Sequence, residues 1–261
     1  MSRISTGGRS PLVMGILNLT PDSFSDGGRW TDRDAALAHA FEMIDQGADI
    51  IDIGGESTRP GSEPVSSSEE LERLEPVLRE LLPSVSVPIS IDTMKPEVAS
   101  VCISMGVDII NDVNGLRAQG MMEVCAGSDV RVVISHMNGS LSDTHSRTMG
   151  DDYKAEIVEF LDGQISKAVD LGISDDRIIV DPGVGFGKTP QQNMDISKDC
   201  SFLGKDHDIM IGVSRKRFIR EFYPDMDVDE ASAMVSKMAV DSGADIVRVH
   251  NVACTVSALR L

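Results

Sequence analysis

Gln46-Gly47-Ala48-Asp49-Ile50-Ile51-Asp52 has a layout that returns twice along the chain. The later copies are Met105-Gly106-Val107-Asp108-Ile109-Ile110-Asn111 and Ser242-Gly243-Ala244-Asp245-Ile246-Val247-Arg248. In each, a helix ends, glycine takes the left-handed cap, an apolar strand led by Asp follows, and a polar residue closes it. Outward from these copies, short apolar runs occupy 12–18, 49–53, 88–91, 108–111, 131–135, 177–180, 209–213 and 245–249. They are nearly all apolar rather than alternating, the pattern of parallel strands covered on both faces. Helical segments are expected at about 33–47, 68–82, 96–106, 120–127, 151–172, 190–204, 229–243 and 252–260. Eight strands each followed by a helix is the count of an α/β (β/α)8 TIM barrel, with an open doubly wound sheet as the alternative. No Pro/Ser/Gly linker divides the chain, and Ser66 to Glu70 reads as a helix N-cap. One domain over 1–261 is expected, with 1–10 a short N-terminal extension.

Of 261 residues, 41% are hydrophobic and 25% charged, as in ordinary folded chains. The charge balance is less ordinary: 24 Lys and Arg against 42 Asp and Glu leave −18. Such a surface repels phosphate backbones and anionic lipid heads, so neither nucleic acid nor membrane is an expected partner. Asp outnumbers Glu 28 to 14 and only 8 basic residues are Lys. A salty cytoplasm would favour that pattern, which stability measured against KCl concentration tests. No apolar run is long enough to span a bilayer, and the first residues lack an apolar signal core. Cys102, Cys125, Cys200 and Cys254 lie far apart with no CxxC pair, as expected of reduced thiols in a cytoplasmic protein.

In a barrel the loops after the strands form the active face. Asn18 stands after the first expected strand, and Asp52, Glu56, Thr58 and Arg59 after the second. Asp92 closes the third, Asn111-Asp112 the fourth, His136 the fifth and Asp181 the sixth. Ser214-Arg215-Lys216 follows the seventh, and Arg248 with His250 closes the eighth. Acceptors Asp92, Asn111 and Asp181 suit the N–H donors of a planar heterocycle, where a wrong pairing is costly once buried. Donors Arg59, Arg215, Lys216, Arg248 and His250 suit a phosphate or carboxylate. In so acidic a chain, an anionic substrate calls for this local cationic group and for a divalent metal.

Two loops, 18–28 and 54–61, are rich in glycine and hydroxyls, as lids are. The segment 181–189 nearly imitates a phosphate-binding P-loop, but Gly183 to Gly187 spans three residues where four are needed. Dinucleotide-fold spacing fails too, because Lys stands at 188. The five His show no HxH or HExxH pattern, and no Gly-x-Ser-x-Gly elbow occurs.

From Met14 to Leu259 the chain resembles the dihydropteroate synthase family of the folate pathway. The resemblance is carried by 15–28 (Gly-Ile-Leu-Asn-Leu-Thr-Pro-Asp-Ser-Phe-Ser-Asp-Gly-Gly) and 55–61 (Gly-Glu-Ser-Thr-Arg-Pro-Gly). Ser90-Ile91-Asp92-Thr93, Ile110-Asn111-Asp112-Val113, 181–188 (Asp-Pro-Gly-Val-Gly-Phe-Gly-Lys), Ser214-Arg215-Lys216 and Arg248-Val249-His250 follow in family order. It implies a (β/α)8 barrel, usually a homodimer, that joins 6-hydroxymethyl-7,8-dihydropterin diphosphate to 4-aminobenzoate, with Mg2+. Asp92, Asn111, Asp181 and Lys216 would hold the pterin; Asn18, Thr58, Arg248 and His250 the diphosphate, with Asn18 also facing Mg2+. Thr58, Arg59, Pro60, Phe186, Ser214 and Lys216 would shape the 4-aminobenzoate pocket, closed by Phe24 and Asp26. Asp92, Asp181, Lys216 and Arg248 would carry the catalytic work. Two positions depart from the family pattern. Ser135-His136-Met137 stands where Met-His-Met is usual, and Asn251 follows His250 where Asp is usual, removing an acceptor beside the diphosphate. A pterin methyltransferase working with a corrinoid protein, or a non-catalytic pterin-binding barrel, are the alternative readings.

Overall fold

The computed structural model describes residues 10–19, 28–57, 63–141 and 147–260. Its eight strands are parallel and pair in chain order until β8 meets β1, which excludes the open sheet. They are β1 (Leu12–Asn18), β2 (Ile50–Gly54), β3 (Ile89–Asp92), β4 (Ile109–Asp112), β5 (Arg131–Ser135), β6 (Ile178–Asp181), β7 (Asp208–Ile211) and β8 (Ile246–Val249). Around them lie α1 (Gly28–Asp45), α2 (Ser67–Leu81), α3 (Pro96–Met105), α4 (Met121–Ala126), α5 (Tyr153–Asp170), α6 (Pro190–Lys198), α7 (Arg217–Phe222), α8 (Val228–Asp241) and α9 (Val252–Leu259). Among the described residues, no helix is long and apolar enough to cross a membrane.

The period-two alternation of a strand sorts each apolar run into two cores. Val13, Leu17, Ile51, Ile53, Ile89, Ile91, Val132 and Ile134 join the large core between strands and helices. Met14, Ile50, Ile109, Val133, Ile179, Met210 and Ile246 form a separate cluster that fills the barrel. Two residues beyond these inner positions, at the C-terminal ends, stand Asp52, Asn111, Ser135, Asp181 and Arg248. Asp92 takes the same step beyond Ser90. The barrel thus has an apolar floor and a polar mouth. Each fully buried floor side chain stabilises by about 1.5–3 kcal/mol, whereas buried charges contribute little net, so the floor holds the barrel together.

The recurrent Asp has a specific task. Asp49 Oδ2 accepts from Val13 N at 2.8 Å, while Asp49 N donates to Val13 O at 2.8 Å. Asp108 clasps Ile89 in the same way (3.0 and 2.9 Å), and Asp245 clasps Ile209 (2.9 and 2.9 Å). β2 is thereby fastened to β1, β4 to β3 and β8 to β7. Between β6 and β5 the fastening is Arg177, whose Nη1 donates to Ser128 O and, at 3.2 Å, to Val130 O.

β2, β3, β4 and β6 each begin and end one residue later than the apolar runs suggest, with Asp49, Asp108 and Arg177 standing just ahead of β2, β4 and β6. The helical run expected over 190–204 breaks at Asp199, which is extended (φ −149°, ψ 95°) and accepts from Ser201 N and Oγ at 3.2 and 2.5 Å. A 3₁₀ turn, Ser201–Leu203, follows. Six-residue α7 was not anticipated, being too short to display a helical period.

Candidate functional site

At the mouth, Arg248 reaches across the barrel from β8. Its Nε donates to Asp52 Oδ2 and its Nη2 to Asp92 Oδ2, both at 2.6 Å. Asn111 Nδ2 donates to the same Asp52 oxygen at 3.1 Å. Asp52 Oδ1 is buried without a hydrogen-bond partner among the described residues. Burial pushes the Asp92 carboxyl up to about 7 against the pull of Arg248, with Asp52 and Asp112 adding to the rise. Burial also opposes the charge on Arg248, yet the Asp52 and Asp92 carboxylates outweigh it and hold its pKa above the ordinary arginine value.

The opposite wall comes from β6 and the loop after it. Asp181 Oδ1 accepts from Gly183 N at 2.7 Å, and Ser135 Oγ lies 3.5 Å from Oδ2. Burial raises the Asp181 pKa, while the Gly183 N–H and the charges of Lys216 and Lys188 oppose it. Lys216 Nζ donates to Val184 O and sits 4.4 Å from the Phe186 ring centroid, a cation–π contact. Burial lowers its pKa to about 8 in spite of Asp181. Gly183 has φ 69°, and a Cβ built there would meet His136 O at 1.8 Å. Gly183→Ala combines left-handed strain with a backbone clash. It is expected to cost about 3 kcal/mol or more, read as a lowered midpoint in urea unfolding. A loss below about 1 kcal/mol would mean the loop can refold around the methyl group.

Ser214 Oγ accepts from His250 N at 3.1 Å and lies 3.0 Å from His250 Nδ1, joining the ends of β7 and β8. Arg215, expected among the anion-binding donors, is turned elsewhere. It has φ 57°, its guanidinium grips both oxygens of Asp229 (2.7 and 2.8 Å), and its N–H donates to Ser232 Oγ at 3.0 Å. Asn251 Nδ2 donates to Asp229 Oδ2 at 3.1 Å, and its Oδ1 caps α9 at Cys254 N, 3.0 Å away. The unusual Asn therefore has a reason: an Asp there would set a second carboxylate against Asp229. Behind the loop after β2, Lys95 Nζ bridges Glu56 and buried Glu70 at 2.8 and 2.6 Å, and Glu56 Oε1 accepts from Val65 N at 3.0 Å.

Asp92, Asn111, Asp181, Lys216 and Arg248 meet at one mouth, with Phe186, Ser214 and His250 on loops and strand ends of that same face. Phe24, Asp26, Thr58, Arg59 and Pro60 lie outside the described residues. The central role of Asp52 was missed among the expected site residues. Its signal was the two-residue step from inward-facing Ile50, the relation that links Asn111 to Ile109 and Asp181 to Ile179. Lys188, one residue off P-loop spacing, carries no sequence signal of its buried position.

Among the described residues, no three His, Cys, Asp or Glu side chains converge to hold a metal ion. Asn18 Oδ1 lies 3.9 Å from where a Cβ on Gly54 would stand, offering one neutral oxygen at the end of β1. That fits Mg2+, which keeps water and takes phosphate oxygens from a substrate rather than an all-protein cage.

Residues 14–250 match the family of pterin binding enzymes. The dihydropteroate synthase of Bacillus subtilis is 41% identical over 245 residues, 92% of this chain and 84% of that one. That of Neisseria meningitidis serogroup C is 40% identical over 266 residues, 99% and 94% of the two chains. The solved Xanthomonas albilineans dihydropteroate synthase with 4-aminobenzoic acid superposes with a TM-score of 0.91 at 40% identity, covering 98% of this chain and 93% of that one. The Burkholderia cenocepacia enzyme complexed with 7,8-dihydropteroate gives 0.87 at 37% identity, covering 97% and 90%. These likenesses favour a synthase over corrinoid-linked methyl transfer and over a carrier.

Proposed function

Because the chain belongs to the pterin binding enzymes and, among them, to the dihydropteroate synthases, we propose that its barrel mouth divides the condensation among three groups of side chains. The reaction joins 6-hydroxymethyl-7,8-dihydropterin diphosphate to 4-aminobenzoate, giving 7,8-dihydropteroate and diphosphate. Asp92, Asn111, Asp181 and Lys216 hold the pterin. The observation that carries this reading is the ring of buried acceptors with one ammonium, set directly above an apolar floor. Asn18, Thr58, Arg248 and His250 hold the diphosphate. Thr58, Arg59, Pro60, Phe186, Ser214 and Lys216 receive 4-aminobenzoate, with Phe24 and Asp26 covering it.

Departure of diphosphate leaves a cation on the pterin methylene, conjugated with the ring. Asp181 and Asp92 face that developing positive charge, and Arg248 with His250 faces the departing anion. Mg2+, held by Asn18, substrate oxygens and water, would supply further neutralisation of the leaving group. The arylamine then attacks the methylene, so no protein nucleophile is required. Cys102, Cys125 and Cys200 are free and buried, which supports a reducing, cytoplasmic setting. A homodimer is a further expectation from the family resemblance, tested by sedimentation velocity.

Diphosphate release from the pterin substrate and Mg2+, measured with and without 4-aminobenzoate, tests the reading. Release that depends on the arylamine is expected; none, with pterin still bound, would sink it. The ammonium of Lys216 also predicts a pH profile. kcat/KM for the pterin substrate should fall as pH rises through about 8, where Lys216 loses its proton. Lys216→Arg should abolish that limb, since arginine stays charged.

A further inference from the structure

The segment that narrowly misses P-loop spacing has another occupation. Lys188 is 6% exposed. Its Nζ lies 2.9 Å from His136 Nδ1, 2.9 Å from Gly183 O and 3.2 Å from Phe186 O. Burial lowers its pKa to about 7 in spite of Asp181; its ammonium form has three donors and no acceptor, and these three acceptors fill that capacity. His136 packs edge-on against Phe160 (5.1 Å, 88°). Burial, then the Lys188 charge, pushes its pKa down to about 3, so the ring is neutral, and the Lys188 ammonium donating to Nδ1 selects the tautomer with its lone pair there.

Two of the three acceptors are carbonyls of the loop that carries Phe186, and Phe186 N–H itself donates to Gly183 O at 3.1 Å. Gly185 N donates to Asn193 Oδ1 at 2.7 Å, and a Cβ on Gly185 would lie 2.7 Å from Lys216 Cδ. The loop wound around Lys188 therefore sets Phe186 and braces Lys216 together. Asp92 and Asn111 are different: they stand on β3 and β4, whose ladder does not pass through Lys188, whereas Asp181 on β6 meets the loop through Gly183 N–H and feels the Lys188 charge.

We propose that Lys188, oriented by His136, is the positioning residue of the arylamine side of the site, fixing Phe186 against Lys216, while Asp92 and Asn111 on the pterin side are held by their strands. This rests on the synthase reading above. Lys188→Met and His136→Leu are expected to raise KM for 4-aminobenzoate about tenfold or more; KM for the pterin diphosphate should rise less in both, and by less than about threefold in His136→Leu, which leaves the Lys188 charge near Asp181 in place. His136→Asn keeps an acceptor near the Nδ1 position and should stay within about threefold of the wild type. Equal rises in both KM values, no rise in either, or His136→Asn as impaired as His136→Leu would overturn the proposal. If Lys188→Met does not fold, the two His136 variants carry the same comparison. A readout independent of turnover is the fluorine resonance of 4-fluorophenylalanine at Phe186, assigned with Phe186→Leu. It should move in His136→Leu and hold in His136→Asn. Failure of the wild type to form dihydropteroate would remove the synthase reading, while this resonance would still decide the positioning claim.

Discussion

Lys216→Ala and Asp181→Asn should each lower kcat/KM by about 10²-fold or more, with the barrel still folded. In the proposed mechanism both groups face the charge that develops as diphosphate leaves. Asp181 is held by Gly183 N on one oxygen, and its other oxygen faces Ser135. Asn at 181 keeps the shape and loses the anion. Lys216 packs on Phe186 and braces the loop through Val184 O, so its loss removes a charge and loosens the arylamine wall together. Steady-state kinetics with both substrates, beside circular dichroism, measures the effect. Losses below about tenfold would remove these two residues from the reacting centre.

Arg248→Leu should be the most damaging single change to stability at the mouth, costing about 3–5 kcal/mol. The guanidinium spends Nε and Nη2 on Asp52 and Asp92, so its removal strands two buried carboxyls. Asp92, already at about 7, would rise further and bind a proton more readily folded than unfolded, where Asp titrates near ~3.9. The folded state then loses stability as pH rises through that raised value. The deficit against the wild type should be largest above pH about 7 and shrink on acidification. Urea unfolding across that range measures it. A deficit independent of pH would mean lost packing, not unpaired charge. Arg248→Lys keeps the charge without the fork and should fall between.

The barrel was legible because its strands are apolar on both faces and its helices are amphipathic, the pattern that burial between two cores requires. The strand-end rule puts Asp92, Asn111, Asp181 and Arg248 on one face, and the structure brings them to one mouth. The rule does not find Asp52 as the hub, because an Asp at a strand end reads the same whether it binds substrate or holds an arginine. Arg215 illustrates the converse. A cation in a substrate-binding motif was expected to face the anion, but its positive φ and the nearby Asp229 turn it to α8. Such choices depend on contacts between residues distant in sequence. Lys188 was hidden for a similar reason, since its partner His136 lies on another strand's loop.

The fastenings at the strand starts give the molecule a modular grain. They join β1 to β2, β3 to β4, β5 to β6 and β7 to β8, so the ring consists of four quarters, each a strand–helix–strand unit locked in register at its own base. New chain ends placed between quarters, such as 82–88 ahead of β3 or 199–207 ahead of β7, would leave all four locks intact. Ends placed inside a quarter would sever one. Circular permutation of this barrel should therefore succeed at 82–88 and 199–207 and fail inside the quarters, and also fail ahead of β5, where Ser128 and Val130 carry the acceptors of the Arg177 lock.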